Sequence, residues 1–134
     1  MIKLCVVGWY GTETMGDRAI LDGILHVFYK LCGKVSVNLG SLYPVYSSRT
    51  LVEEQSVFSN SCPELSCSLF PIKDKAATDD AVDQSDVVVF GGGPIMDNPE
   101  MVLMTYAFRR ARAKRIPTIL LGCGFGPVHR EMLR

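Results

Sequence analysis

The sequence predicts an α/β protein built on a doubly wound parallel sheet of about five strands, and two observations carry that prediction. Short apolar runs rich in β-branched residues alternate with segments of helical periodicity along the chain. Three of those runs break straight into glycine-rich turns: Gly8-Trp9-Tyr10-Gly11, Gly91-Gly92-Gly93-Pro94 and Gly122-Cys123-Gly124-Phe125-Gly126-Pro127. The first turn passes directly into a helix pattern, which makes it the kind of strand–turn–helix junction where open α/β sheets build ligand sites.

Ile2 to Val7 is a nearly continuous apolar run ended by Gly8, the pattern of a strand covered on both faces, and it is expected to be the central first strand. From Asp17 onward Ile20, Leu21, Ile24, Val27, Phe28 and Leu31 recur at helical spacing, with Gly33 placed to end the helix. Val35 to Leu39 reads as the second strand and Gly40 to Pro44 as the loop leaving it. Between Ser47 and Lys75 the pattern weakens: a short helix after Ser48, a serine- and cysteine-rich connection and a weak strand over Cys67 to Phe70 are expected. Thr78 to Gln84 reads as a short acidic helix and Asp86 to Phe90 as a buried strand. A long helix follows the triple glycine, with Met101, Met104, Phe108 and Ala111 on one stripe and Arg109, Arg110, Arg112, Lys114 and Arg115 at its end. Pro117 to Leu121 is the last strand, and His129 to Arg134 opens another helix. Right-handed crossovers then place all three glycine turns at the carboxyl edge of one sheet.

A chain of 134 residues with 48% hydrophobic content has room for one domain with a real core. Lysine plus arginine equals aspartate plus glutamate at 14 each, so no global field draws the chain to nucleic acid or to an acidic membrane surface. The charge is uneven all the same, with nine acids against Lys73 and Lys75 between Glu53 and Asp97, and seven bases against Glu100 and Glu131 after that. The five cysteines lack zinc-site spacing and read as free thiols of a reducing compartment. No apolar run approaches the roughly 20 residues of a membrane span, and the start does not read as a signal peptide. A cytoplasmic protein is expected.

Several familiar chemistries lack their residues. The first turn reads Gly8-x-x-Gly11 rather than Gly-x-Gly-x-x-Gly, so a dinucleotide cofactor is weakly supported, and no other cofactor is expected. The Gly-Lys-Ser/Thr ending of a phosphate-binding P-loop, a nucleophile elbow and a zinc-protease His/Glu pair are also missing. The candidate ligand-binding residues are Gly11, Thr14, Gly16 and Asp17 at the first turn, Gly91, Gly92, Gly93 and Asp97 at the second, and Gly124, Gly126 and His129 at the third. No catalytic residue is assigned. Asp17 stands at a helix start, where capping is the commoner role, and Asp97 either caps the long helix or reaches a ligand hydroxyl. His26 shares a helical face with Asp22 and Lys30 and reads as solvated. A side chain at Gly92 is expected to cost ligand binding more than folding.

Taken together, Gly8-Trp9-Tyr10-Gly11 with Gly16-Asp17-x-Ala19-Ile20-Leu21, then Asp86 to Asp97, then Gly122 to Pro127, resemble the polysaccharide pyruvyl transferase family. Where that family often has Asn in the first loop and an acid after the Gly-Asp pair, this chain has Thr14 and Arg18. The resemblance implies a Rossmann-like domain, residues 1–134, forming the N-terminal half of a two-domain enzyme similar to GT-B glycosyltransferases. It implies transfer of a pyruvyl group from phosphoenolpyruvate to a sugar acceptor of a cell-wall or exopolysaccharide precursor, as a ketal. The family's Arg and His residues suited to that chemistry lie in a second-half motif without a counterpart here, so the isolated chain is expected to be inactive. An uncovered half-cleft also suits pairing with a second copy. The alternatives are half of a nucleotide-sugar glycosyltransferase, or a non-catalytic α/β module that binds a small ligand or a protein through its glycine edge.

Overall fold

The computed structural model describes residues 1–12 and 14–128, with the side chains of 55–59 and 61 excepted. The helix expected over His129 to Arg134, and with it the candidate His129, lies outside the described residues. In chain order the elements are β1 (Ile2–Val7), α1 (Met15–Cys32), β2 (Val35–Ser41), α2 (Pro44–Ser61), β3 (Leu65–Pro71), α3 (Lys75–Asp83), β4 (Val87–Phe90), β5 (Pro94–Ile95), α4 (Met101–Ala113), β6 (Thr118–Leu120) and β7 (Gly124–Phe125).

Five of the strands form one all-parallel sheet in the order β3-β2-β1-β4-β6, and β5 pairs with β7 in a separate two-stranded ribbon. This is the expected doubly wound, Rossmann-like arrangement, with β1 at its centre. The continuous apolar run of β1 is explained by burial on both sides. Leu4 and Val6 belong to the core beneath α1, together with Leu21, Ile24, Leu25 and Phe28. Cys5 and Val7 face the opposite core, with Val82 from α3 and Met101, Met104, Ala107 and Ala111 from α4. β4 splits the same way, Val89 to one core and Val88 and Phe90 to the other. Each fully buried Val or Leu in such a core is worth about 1.5–3 kcal/mol.

Helix boundaries follow local chemistry. α1 ends at Gly33, whose φ of 73° lets its N–H reach the Tyr29 carbonyl at 2.8 Å. Asp74 caps α3, its carboxylate accepting from Ala76 N at 2.9 Å and Ala77 N at 3.2 Å. Asn98 serves the start of α4, its Oδ1 accepting from Met101 N at 3.0 Å.

The largest departure from expectation lies between Pro44 and Ser61, where a loop and a short helix are replaced by one 18-residue helix. Pro44 takes the first helical position, where its missing N–H is harmless. The helix was obscured because it exposes Val45, Tyr46 and Val52 and so carries only a weak apolar stripe. The last strand also differs. β6 is shorter than the expected 117–121 and sits at the sheet edge with Ile119 and Leu120 exposed.

The uneven charge resolves between α3 and α4. Arg110 Nε and Nη2 donate to Asp83 at 2.8 and 2.7 Å, and Lys114 lies 2.9 Å from the same carboxylate. The basic end of one helix therefore neutralises the acidic helix beside it. The described helices include none long and apolar enough to cross a membrane.

Candidate functional site

The winding of the sheet reverses at β1. α1 and α2 carry the chain outward to β2 and β3, and α3 then returns it across β1 to β4. Because all five strands are parallel, the turns after β1, β4 and β6 emerge side by side at the carboxyl edge, where such sheets bind ligands.

The three turns are joined by hydrogen bonds. Gly91 N donates to Val7 O at 3.0 Å, and Trp9 N donates to Gly92 O at 3.4 Å. The Trp9 indole Nε1 donates to Pro94 O at 3.1 Å, so the first turn is tied to the second by both backbone and ring. The β5–β7 ribbon then ties the second turn to the third, supported by Gly126 N to Ile95 O at 2.9 Å and Asp97 N to Pro127 O at 3.0 Å.

Aromatic rings fill the space inside this junction. A Cβ on Gly93 would meet Trp9 Cδ1 at 1.7 Å, and one on Gly92 would meet the Tyr10 ring at 3.2 Å. The Trp9 ring thus occupies the side-chain position of Gly93, and the Tyr10 ring crowds that of Gly92. Gly11 approaches the chain instead: its side-chain position lies 2.6 Å from Ser41 Oγ and 2.7 Å from Tyr43 N. Gly16 and Gly124 open on free space, and Gly126 rests against Met96.

Two cavities flank the junction. One, about 30 Å³, runs between the first turn, α1 and α2, and is lined by Tyr10, Gly11, Thr14, Asp17, Arg18 and Thr50 among others. The other, about 300 Å³ and apolar, lies between α4 and the second and third turns, against Phe90, Met104, Phe108, Leu120 and Phe125. Of the candidate residues, Gly11, Thr14 and Asp17 line the first cavity. The glycines of the second and third turns do not join them in one pocket.

At the start of α1 the Thr14 hydroxyl donates to the Asp17 carboxylate, and Thr14 makes no side-chain hydrogen bond to the helix backbone. Asp17 therefore holds the N-cap side chain instead of capping the helix itself. Arg18, which departs from the family pattern, reaches across to α2, with Nε donating to Glu54 Oε1 at 2.7 Å and Glu53 4.0 Å away. Burial and the nearby Glu54 raise the Asp22 carboxyl above its usual range, against the opposing pull of Arg18. Burial, then Asp17, pushes the Tyr10 phenol far above its ordinary value, so it stays protonated. Tyr10 is only 4% exposed, and its hydroxyl has no hydrogen-bond partner among the described residues.

The profile of the polysaccharide pyruvyl transferase family matches residues 15–134. The chain belongs to that family. The match starts at the first residue of α1, so β1 and the Gly8–Gly11 turn precede it. No curated protein matches the chain. In this polysaccharide pyruvyl transferase family member the Rossmann-like sheet carries three adjoining turns at one edge. Tyr10, Trp9 and Thr50 were not singled out from the sequence. The available signal was two aromatic residues enclosed by Gly8 and Gly11, where a simple tight turn has no need of large rings.

Proposed function

We propose that this chain forms the N-terminal wall of a pyruvyl transferase cleft in a two-domain, GT-B-like enzyme that acts in the cytoplasm. The reaction moves a pyruvyl group from phosphoenolpyruvate to two hydroxyls of a sugar in a cell-wall or exopolysaccharide precursor, forming a cyclic ketal. Family membership over residues 15–134, together with the clustering of the β1, β4 and β6 turns at the winding reversal, supports this reading.

The chemistry needs a proton for the donor's methylene carbon, a base for the sugar hydroxyl, and cations for the carboxylate and the departing phosphate. Among the described residues lining the narrow cavity, Arg18 is the one cation, and Glu54 already engages it. The donor-binding cations are therefore assigned to a second domain, and the 134-residue chain alone is inactive. The test is phosphate release from phosphoenolpyruvate in the presence of sugar acceptors, with the isolated chain and with a two-domain form. Turnover by the isolated chain refutes the division of labour. Silence from a folded two-domain form toward every acceptor refutes the activity.

A further inference from the structure

We propose that two copies of this chain pair through β6, edge strand against edge strand in antiparallel register, with their α4 helices side by side across a two-fold axis. The surface is the outer flank of α4 and β6, not the half-cleft at the glycine turns, and the inference is independent of the pyruvyl transfer reading.

Backbone geometry sets the register. β6 has β4 on one side and no strand on the other among the described residues. Val88 N donates to Pro117 O, and Leu121 N donates to Phe90 O, each at 2.9 Å. Groups along a strand alternate in direction, so Ile119 also turns toward β4, while Thr118 and Leu120 aim their N–H and C=O outward. An unpaired edge of this kind is a template for another strand. Antiparallel pairing about Ile119 sets Thr118 opposite the partner's Leu120 and Leu120 opposite the partner's Thr118, so both pairs exchange N–H···O bonds.

Helix packing accepts the same axis. α4 lies over β4 and β6. Joining the two β6 edges then separates the α4 axes by about two strand spacings, roughly 9.6 Å, inside the 8–10 Å range of packed helices. Between them lie Phe108 and the exposed Leu120, which line the apolar cavity of about 300 Å³.

Charge selects a second copy as the occupant. Asp83 engages Arg110 and Lys114 on the side of α4 that faces α3. Arg109, Arg112 and Arg115 line a groove of about 510 Å³ on the outer side and form no ion pair among the described residues. Glu100, at the other end of α4, makes no capping hydrogen bond. Antiparallel helices bring Glu100 to the partner's Arg112, twice over, and set the two helix dipoles in opposition. Phe125, 77% exposed beyond the carboxyl end of β6, is carried toward the partner's arginine groove, where guanidinium groups suit an aromatic face. The surface is therefore complementary to itself and closes at two copies.

The test is sedimentation equilibrium of the 134-residue chain from about 1 to about 200 μM, with every variant also melted by circular dichroism. The wild type is expected to rise from 14.8 kDa toward twice that mass and no further. Thr118→Pro keeps the ladder to β4, removes one outward N–H from each copy and weakens association about tenfold or more. Glu100→Arg and Arg112→Glu each weaken it about fivefold, and the double variant recovers most of that loss. A wild type that stays monomeric overturns the proposal. So do association that Thr118→Pro leaves intact, growth past two copies, and a double variant no tighter than its parents. If Thr118→Pro fails to fold, the charge exchange decides the question alone.

Discussion

The carbonyl oxygen of Gly91 lies 1.9 Å from the position a Cβ would take on Gly8, so the ends of β1 and β4 leave no room for a side chain there. Gly8→Ala forces those strand ends apart and is expected to destabilise the fold by about 1–3 kcal/mol. Gly16→Ala is the control. Its side-chain position is open and it sits in the first turn of α1, so a gain of about 0.5–1 kcal/mol is expected. Urea denaturation of both variants checks the pair, and equal effects from the two would contradict the geometry.

Gly92 has a φ of 79° and faces the Tyr10 ring, so a substitution there carries a folding cost of its own. Gly92→Val is expected to lose more than about 1 kcal/mol of stability from backbone strain alone, before any ligand is added. Thermal melting of the unliganded protein is the measurement. A variant that melts like the wild type would contradict this strain and leave ligand contact as the cost of the substitution.

Asp74 caps α3 with two backbone acceptances, and α3 supplies Val82 to the core. Asp74→Ala is expected to cost about 1 kcal/mol, while Asp74→Ser retains most of the stability. Denaturation midpoints compared at constant slope separate a lost cap from a change in the unfolded state.

Asp83 is held well below the usual carboxylate range by hydrogen bonds from Arg110 and then Lys114. A carboxyl depressed by folding contributes stability that is present above its unfolded pKa, near 3.8, and lost as pH falls toward the folded value. Stability is therefore expected to decline in acid below about pH 4, and Asp83→Asn is expected to flatten that part of the profile. The groups are solvent-accessible, so added salt weakens the effect. An unchanged acid limb in Asp83→Asn would rule out this pair as its source.

The sheet and its carboxyl-edge turns were legible because burial on both faces writes itself as unbroken apolar runs, as in Cys5-Val6-Val7 and Val87-Val88-Val89-Phe90. α2 was not legible, since a helix with one side against β3 and Val45, Tyr46 and Val52 in solvent has little periodicity to read. The β5–β7 ribbon was hidden for another reason. Its two-residue strands pair across 28 intervening residues, and no local signal announces so distant a partner.

By itself the sequence determined the alternation of strands and helices, the central place of β1 and the family, because each follows from local patterning of residue types. Only the tertiary structure decided what the glycines are for. Their turns close on Trp9 and Tyr10, side chains whose contacts with Gly92 and Gly93 join segments more than 80 residues apart, and that packing leaves the Tyr10 hydroxyl buried without a partner among the described residues. Composition can reveal that a backbone needs room, but which atoms take the room depends on the packing of segments distant in the chain.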